Sequence, residues 1–196
     1  MKMDLVFILN SLALGVGLAM DAFSVSLANG LHEPTMPKKR MLGIAAVYAV
    51  FQYAMPIIGW VLIKTVEELF SAFHKLVPWI ALLLLLYIGG KMLLEGLRER
   101  KNGAEAAEDR PPLGLRLLIV QGIATSIDAL SVGFTLEEYS FWKANAAALM
   151  IGGVTFLICL GGILIGRKAG TKLSWGASVL GGLILIAIGI EIFLTR

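Results

Sequence analysis

The sequence predicts an all-α membrane protein with six transmembrane helices, arranged as two inverted repeats of three helices each. Three observations support this prediction. The 196 residues are 58% hydrophobic and only 16% charged, with a mean hydropathy of +0.82. Six apolar stretches have the roughly 20 residues that a helix needs to cross a bilayer, and the two halves share a motif. A soluble enzyme is excluded, because its core would need a charged coat that this chain lacks.

The apolar stretches are separated by short polar connections. They cover residues 5–29, 42–63, 77–97, 115–136, 145–166 and 175–194. The first is expected to be a true span and not a cleaved signal peptide, because Asp21 and Ser24 fall where a cleavage region would be. The longest connection has the Gly, Pro and acidic composition of a linker. The predicted units are therefore a first repeat over 1–97, a cytoplasmic linker over 98–114 and a second repeat over 115–196.

Lysine and arginine are concentrated on one side of the predicted membrane. The connections after spans one, three and five contain eleven of the 17 basic residues, the other side contains five, and Lys91 lies within span three. The positive-inside rule assigns the eleven to the cytoplasm, so both termini are expected outside. The net charge of +3 is thus a topology signal, and nucleic acid is not an expected partner.

The two halves resemble one another most closely around an aspartate. Residues 19–26 (AMDAFSVS) match residues 126–133 (SIDALSVG), which aligns Asp21 with Asp128 at an offset of 107. The same offset aligns Pro56-Ile-Ile-Gly59 with Ile163-Leu-Ile-Gly166. Because each repeat has an odd number of spans, the second enters the membrane from the opposite side. Such inverted repeats place a substrate site at their interface near the bilayer midplane.

Asp21 and Asp128 are carboxylates inside predicted spans. Burial of such a group costs roughly 2.5–3.5 kcal/mol on insertion scales, so it indicates function by default. Helical spacing places Ser24 on the face of Asp21, and Thr125 and Ser131 on the face of Asp128. A divalent cation between two facing carboxylates would neutralise them, and oxygen ligands suit Mg²⁺, Ca²⁺ or Mn²⁺. The structural alternative is interhelical hydrogen bonding, or capping at a helix break.

Two further side chains are candidate ligands. Gln52 lies four residues before Pro56, where a kink is expected to free a backbone carbonyl. Met20 offers a thioether that would favour Mn²⁺ over Mg²⁺, although packing is the commoner role of such a methionine. The candidate metal-binding residues are therefore Asp21, Asp128, Ser24, Thr125, Ser131, Gln52 and Met20.

Other intramembrane charges leave their role open. Lys91, Glu95 and Glu191 are either structural or part of an ion path. The chain has no phosphate-binding loop motif, so ATP-driven pumping by this chain alone is not expected. The sequence predicts neither catalytic residues nor a resident cofactor.

Five motifs lie in order along nearly the whole chain. They are Met20-Asp-Ala-Phe23, Gln52 with Pro56-Ile-Ile-Gly-Trp60, Ile88-Gly-Gly-Lys-Met92 with Glu95-Gly96, Ala124-Thr-Ser-Ile-Asp-Ala129 and Leu180-Gly-Gly-Leu183. Together they resemble the MntP manganese efflux family, six-span proteins of the bacterial inner membrane. The resemblance implies export of Mn²⁺ as the substrate, with Asp21 and Asp128 corresponding to the family's functional aspartates.

The leading hypothesis is a secondary-active manganese exporter whose partners are Mn²⁺ and the lipid bilayer, and a homo-oligomer is left open. An exporter of another divalent cation is the nearest alternative. An intramembrane aspartyl protease would use the two aspartates as an acid–base dyad, although the usual G-x-G-D context is missing around both. A membrane scaffold without transport activity is a further hypothesis, but it would give the polar helix faces around Asp21 and Asp128 no role.

Overall fold

The computed structural model describes residues 4–63, 79, 82–83, 85–87, 89–94, 96–98, 113–173 and 175–195. The regular structure of these residues is entirely α-helical, which confirms the predicted class for the described part of the chain. The helices are α1 (Leu5–His32), α2 (Lys38–Ile63), α3 (Leu115–Thr125), α4 (Ile127–Thr135), α5 (Phe141–Leu173) and α6 (Trp175–Thr195). The described residues between 79 and 98 are also helical.

Three of the described helices, α1, α2 and α5, are long and apolar enough to cross a membrane, and the bent pair α3–α4 would make a fourth crossing. They coincide with four of the predicted stretches, and α6 coincides with a fifth. The chain is therefore a multi-pass helical membrane protein. The third stretch and most of the predicted linker lie outside the described residues, so six spans remain a prediction.

The predicted span 115–136 is not a single helix, and this part of the prediction is wrong. Two helices meet at Ser126 with a bend of 40°, and Ser126 itself has φ −114° and ψ 9°. The Thr125 hydroxyl donates to the Gln121 carbonyl at 2.9 Å, and the Ser126 hydroxyl donates to the Gly122 carbonyl at 2.7 Å. Such bonds from side chain to backbone compete with the helical pattern and commonly bend helices.

Glycines allow close contact between helices of the two halves. The most extensive helix contact joins α1 to α5, and α2 packs against both α5 and α4. A Cβ atom added to Gly166 on α5 would lie 3.0 Å from Gly30 Cα on α1, and one added to Gly59 on α2 would lie 3.1 Å from Gly133 Cα on α4. Small residues at such crossings bring helix backbones together without side chains between them.

Basic residues and a network of hydrogen bonds mark one end of the molecule, here called the basic end. Arg40 forms an ion pair with Glu33 at 2.7 Å and donates to the Leu113 carbonyl at 2.7 Å. Arg167 donates to the Pro34 carbonyl at 3.0 Å. The turn between α1 and α2, the start of α3 and the last part of α5 therefore meet at this end.

Aromatic side chains mark the opposite end, here called the aromatic end. The Trp60 indole donates to the Tyr139 carbonyl at 3.2 Å, and the Phe7 ring meets the Tyr139 ring edge-on at 5.5 Å. Phe141 lies beside Trp60, with ring centroids 5.9 Å apart. Aromatic belts of this kind are usual at membrane–water interfaces. Helix α1 thus runs from the aromatic end to the basic end, and α3–α4 runs in the opposite direction.

Candidate metal site

The two aspartates lie at similar depths. Asp21 is in the unbroken helix α1, 11 residues before its last residue, His32, which is about 16 Å along the helix axis. Helix α3 starts near the basic end and has 11 residues, so its last residue, Thr125, is also about 16 Å from that end. Asp128 follows three residues later. Both aspartates therefore lie about half the roughly 30 Å thickness of a hydrocarbon core away from the basic end.

One buried cluster lies beside both carboxylates. Leu18 of α1 and Ala129 of α4 belong to the same cluster. Asp21 follows Leu18 by one helical turn, and Asp128 immediately precedes Ala129; both aspartates are half-buried. The other members of the cluster and its packed neighbours are Ile151, Met55 and Val132. Helices α1, α2, α4 and α5 therefore meet at this cluster.

Asp128 also has a local structural role. It lies in the first turn of α4, and its Oδ1 accepts a hydrogen bond from the Ala129 backbone N–H at 2.9 Å. A carboxylate is stabilised at this position by the helix dipole. The alternative of capping at a helix break therefore describes part of the environment of Asp128, but it does not apply to Asp21, which lies within a continuous helix.

The break beside Asp128 also exposes the carbonyl end of α3. The last four carbonyls of a helix have no intrahelical donors, and this end carries a partial negative charge. The Ser126 hydroxyl and backbone N–H donate to the carbonyls of Gly122 and Ile123. Ala124 and Thr125 contribute the last two carbonyls of α3, next to Asp128. In transporters, the carbonyl ends of broken helices near the midplane are recurrent cation ligands.

Gln52 supplies an acceptor that has no hydrogen-bond donor. Its side chain is fully buried, at 0% exposure, and its Nε2 donates to the Leu18 carbonyl at 2.7 Å. Its Oε1 is buried and has no hydrogen-bond partner among the residues that the structure describes. An unsatisfied buried polar atom costs about 1–3 kcal/mol, so a structure keeps one for a reason. Helix α2 continues through Pro56. The candidate ligand in this part of α2 is therefore the side chain of Gln52 and not a backbone carbonyl.

The remaining predicted ligands differ in position. Ser24 and Ser131 are half-buried on α1 and α4, and Thr125 is buried with its hydroxyl proton donated to the backbone. Met20 is 47% exposed, away from the buried face of α1. Within the described part of the chain, no three His, Cys, Asp or Glu side chains lie close enough together to hold a metal ion. A metal at this position would therefore depend on two carboxylates and on neutral oxygens.

Of the three other charges in the predicted spans, Lys91 is the one whose side chain the structure describes. Lys91 is exposed on the helical segment between 79 and 98. Glu95 and the side chain of Glu191 lie outside the described residues, so the role of these charges stays a prediction.

A second polar cluster was not predicted from the sequence. Asn29 Nδ2 donates to Tyr48 Oη at 2.6 Å and to Gln121 Oε1 at 3.0 Å, and Tyr48 Oη donates to Gln121 Oε1 at 2.7 Å. Gln121 Nε2 donates back to Asn29 Oδ1 at 3.2 Å. All three side chains are fully buried. We call these residues the amide–tyrosine cluster. The sequence signal for this cluster is the position of Gln121 seven residues before Asp128, which would place both on one face of a helix.

An open groove lies on the other side of the aspartates. It has a volume of about 580 Å³ and is lined by Asn10, Ala13, Leu14, Gly17 and Leu18 of α1. A Cβ atom added to Gly17 would meet no atom within 4 Å. The groove extends from Leu18, whose carbonyl binds Gln52, toward the aromatic end. The polar face of α1 is thus open on that side of Asp21.

Several apolar helices that are long enough to cross a membrane and pack closely against one another define a multi-pass membrane protein. Residues 35–193 match the family model described as "Putative manganese efflux pump", and the chain belongs to this family. An efflux pump is a transporter and not an enzyme, in agreement with the sequence prediction.

Relatives match the chain over nearly its full length. "Putative manganese efflux pump MntP 2" of Clostridium botulinum strain Hall is 38% identical over 200 residues, which cover 98% of this chain and 95% of the relative. "Putative manganese efflux pump MntP" of Methanothermobacter thermautotrophicus is 41% identical over 189 residues, with 95% and 96% covered. That of Ruminiclostridium cellulolyticum is 39% identical over 182 residues, with 92% of each chain covered. No solved structure matches the chain.

Proposed function

We propose that this chain exports manganese(II) by secondary-active transport, through a site that Asp21, Asp128 and Gln52 form between two inverted repeats. The observation that carries the proposal is the buried Gln52 Oε1, which has no hydrogen-bond donor. Its amide is held by Leu18, a member of the cluster beside both aspartates. The identity of the ion comes from the printed names of the relatives.

The donor set suits a divalent cation with a preference for oxygen. Two carboxylates balance the charge of the ion, and a side-chain amide oxygen adds a neutral ligand. The hydroxyl oxygens of Ser24, Ser131 and Thr125 are the further neutral ligands that we propose for the shell. Met20 is left out of the proposed ligand set because of its exposure.

Equivalent glycine contacts support the repeat. Gly15 on α1 packs against Val154 on α5, and Gly122 on α3 packs against Phe51 on α2. Gly122 follows Gly15 by 107 residues, the offset of the aspartate motif, whereas Val154 follows Phe51 by 103. In each proposed repeat, therefore, the first helix packs against the second helix of the other repeat.

A second pair of contacts has the same two offsets. Gly59 packs against Gly133, and Gly162 packs against Ser26. Ser26 and Gly133 differ by 107 positions, and Gly59 and Gly162 differ by 103.

A third comparison fits the sequence alignment of the second helices: the contact of Gly59 with Gly133 matches that of Gly166 with Gly30, with an offset of 107 for the second helices and 103 for the first. The glycine contacts therefore fit the repeat in two registers that differ by one helical turn. Together with the opposite directions of α1 and α3–α4, they support a two-fold relation in which the repeats are inverted.

The orientation and the driving force complete the proposal. The basic end faces the cytoplasm by the positive-inside rule, which places both termini outside. The membrane is then the cytoplasmic membrane, the inner membrane where a cell has two. Because the chain has no phosphate-binding loop motif, an ion gradient drives export, and exchange with protons at the two carboxylates is the simplest coupling.

Metal flux into inverted membrane vesicles tests this function. Manganese uptake is compared with that of Mg²⁺, Ca²⁺, Zn²⁺ and Cd²⁺ at two proton gradients. Asp21→Asn and Asp128→Asn are each expected to abolish manganese uptake. Asp4→Asn is the matched control, because Asp4 is exposed at the start of α1 and its side chain caps nothing. Wild-type flux in both aspartate variants would refute the site, and transport of another cation without manganese would refute the substrate.

A further inference from the structure

We infer that the amide–tyrosine cluster of Asn29, Tyr48 and Gln121 is the inner gate, which closes the ion site toward the basic end. The inference rests on the proposed transport function and adds residues that the transport cycle requires. The cluster lies on the basic side of the aspartates. Asn29 is eight residues beyond Asp21 and Gln121 is seven residues before Asp128, which is about 10–12 Å along each helix.

The hydrogen bonds of the cluster join helices of both halves. Asn29 is on α1, Tyr48 on α2 and Gln121 on α3. The two amides bind each other in both directions, and the tyrosine hydroxyl accepts from one amide and donates to the other. The three side chains fill the space between the helices, since none is exposed. An ion that passes between α1 and α3 at the depth of the cluster must break these hydrogen bonds.

The equivalent positions toward the aromatic end have a different chemistry. Offsets of 107 for the first helices and 103 for the second relate Asn29, Tyr48 and Gln121 to three apolar residues. Their equivalents are Leu136, Ile151 and Leu14. Leu136 and Ile151 are buried, and Leu14 is 39% exposed in the groove along α1. Toward the aromatic end, Tyr53 binds Asn145, but among the described residues a fully buried cluster that joins three helices through side-chain hydrogen bonds is found on the basic side.

The chemistry of the cluster suits a gate on the path of a cation. When its hydrogen bonds separate, its amide and hydroxyl oxygens can replace water around an entering ion. When α1 and α3 separate at the cluster, the site opens to the cytoplasm. Exchange between the closed and the open cluster then controls access to the site from the cytoplasm, and the driving gradient sets the direction of transport.

A thiol-accessibility experiment in membrane vesicles without manganese tests the gate. Val25 is fully buried on α1, one turn from Asp21 and one turn from Asn29. The substitution Val25→Cys therefore reports whether a reagent reaches the space between the cluster and Asp21. The background carries Cys159→Ala, which removes the single native cysteine. A membrane-impermeant thiol reagent is applied to inside-out and to right-side-out vesicles, and the alkylation rate is measured.

Tyr48→Phe keeps the ring and removes the hydroxyl that links the two amides. It removes the hydrogen bond from Asn29 and the one to Gln121, and it is expected to raise the alkylation rate from the basic side by at least about 2–10-fold, the shift in population that a single lost hydrogen bond produces. Gln121→Met, which removes all three bonds to Gln121, is expected to raise it further. The matched control is Tyr53→Phe on the same helix, which loses a 2.7 Å hydrogen bond to Asn145 Oδ1 on α5 and is expected to leave the rate within twofold.

Two results separate the gate from the proposed function. If Tyr48→Phe and Gln121→Met are both alkylated no faster than Tyr53→Phe, the gate assignment is wrong, whatever the manganese flux. If manganese flux is absent but the alkylation contrast remains, the substrate proposal fails and the gate stands. The labelling needs no metal, so the two outcomes are independent.

Discussion

Gln52 on α2 donates a hydrogen bond from its side-chain amide to the backbone carbonyl of Leu18 on α1 at 2.7 Å, while its other polar atom, Oε1, is buried without a donor. The bond fixes the orientation of the amide, because only the NH₂ group can donate to a carbonyl. A bound cation would satisfy the oxygen that no protein group satisfies. The amide is thus held in place before the ion arrives, which reduces the free-energy cost of ordering the site on binding.

Replacement of Gln52 by methionine is expected to weaken manganese binding. The variant keeps the length of the side chain but loses a neutral oxygen ligand, so KM for manganese uptake should rise about 10-fold or more. Thr155→Val is the matched control: Thr155 is buried on α5 at the repeat-related position, and its hydroxyl donates to the carbonyl of Ile151 in its own helix. An unchanged KM in Gln52→Met would remove Gln52 from the ligand set.

The two aspartates are expected to act as a unit. If both bind one ion, loss of either removes most of the affinity, and the effects of two substitutions in contact with a shared partner are not additive. Calorimetry on purified protein should therefore give the double variant, Asp21→Asn with Asp128→Asn, an affinity for manganese no lower than that of the single variant that binds manganese less tightly. Additive losses in binding free energy would indicate two separate sites.

The sequence predicts the described helices well, because apolar runs are a local signal, and it marks the two aspartates as candidate ligands by an equally local signal. A run of apolar residues suffices to identify a span, and a carboxylate within it stands out. The break at Ser126 has no proline or glycine to announce it, and only the adjacent hydroxyls of Thr125 and Ser126 hint at it. The broken helix is therefore visible in the structure and not in the hydropathy.

Contacts between distant residues are harder to predict. Asn29 and Gln121 are 92 residues apart in sequence, and neither belongs to a motif that indicates a partner. Gln52 was selected from the sequence for its distance from Pro56, whereas the structure shows that its side chain binds Leu18 on another helix. Interhelical pairing depends on rotation and depth, which periodicity alone does not determine.

The two ends of the molecule are expected to face opposite sides of the membrane. Lys39 at the basic end and Glu138 near the aromatic end are both exposed. With Cys159→Ala as the background, Lys39→Cys should be alkylated by an impermeant reagent only in inside-out vesicles, and Glu138→Cys only in right-side-out vesicles. The background without an added cysteine is the control. Labelling of both positions from one side would contradict the proposed topology.

Glycine contacts between the halves are expected to limit stability. A methyl group at Gly59 would collide with the backbone carbonyl of Leu130 on α4, so Gly59→Ala should force α2 and α4 apart and cost about 1–3 kcal/mol. That loss corresponds to a fall in Tm of roughly 3–10 °C in detergent. The matched control is Gly43→Ala on the same helix, where an added methyl group meets no atom within 4 Å. Because alanine favours a helix over glycine, this control should be neutral or more stable by up to about 1 kcal/mol. If the two variants melt at the same temperature, the close packing of α2 on α4 is not what holds the two halves together.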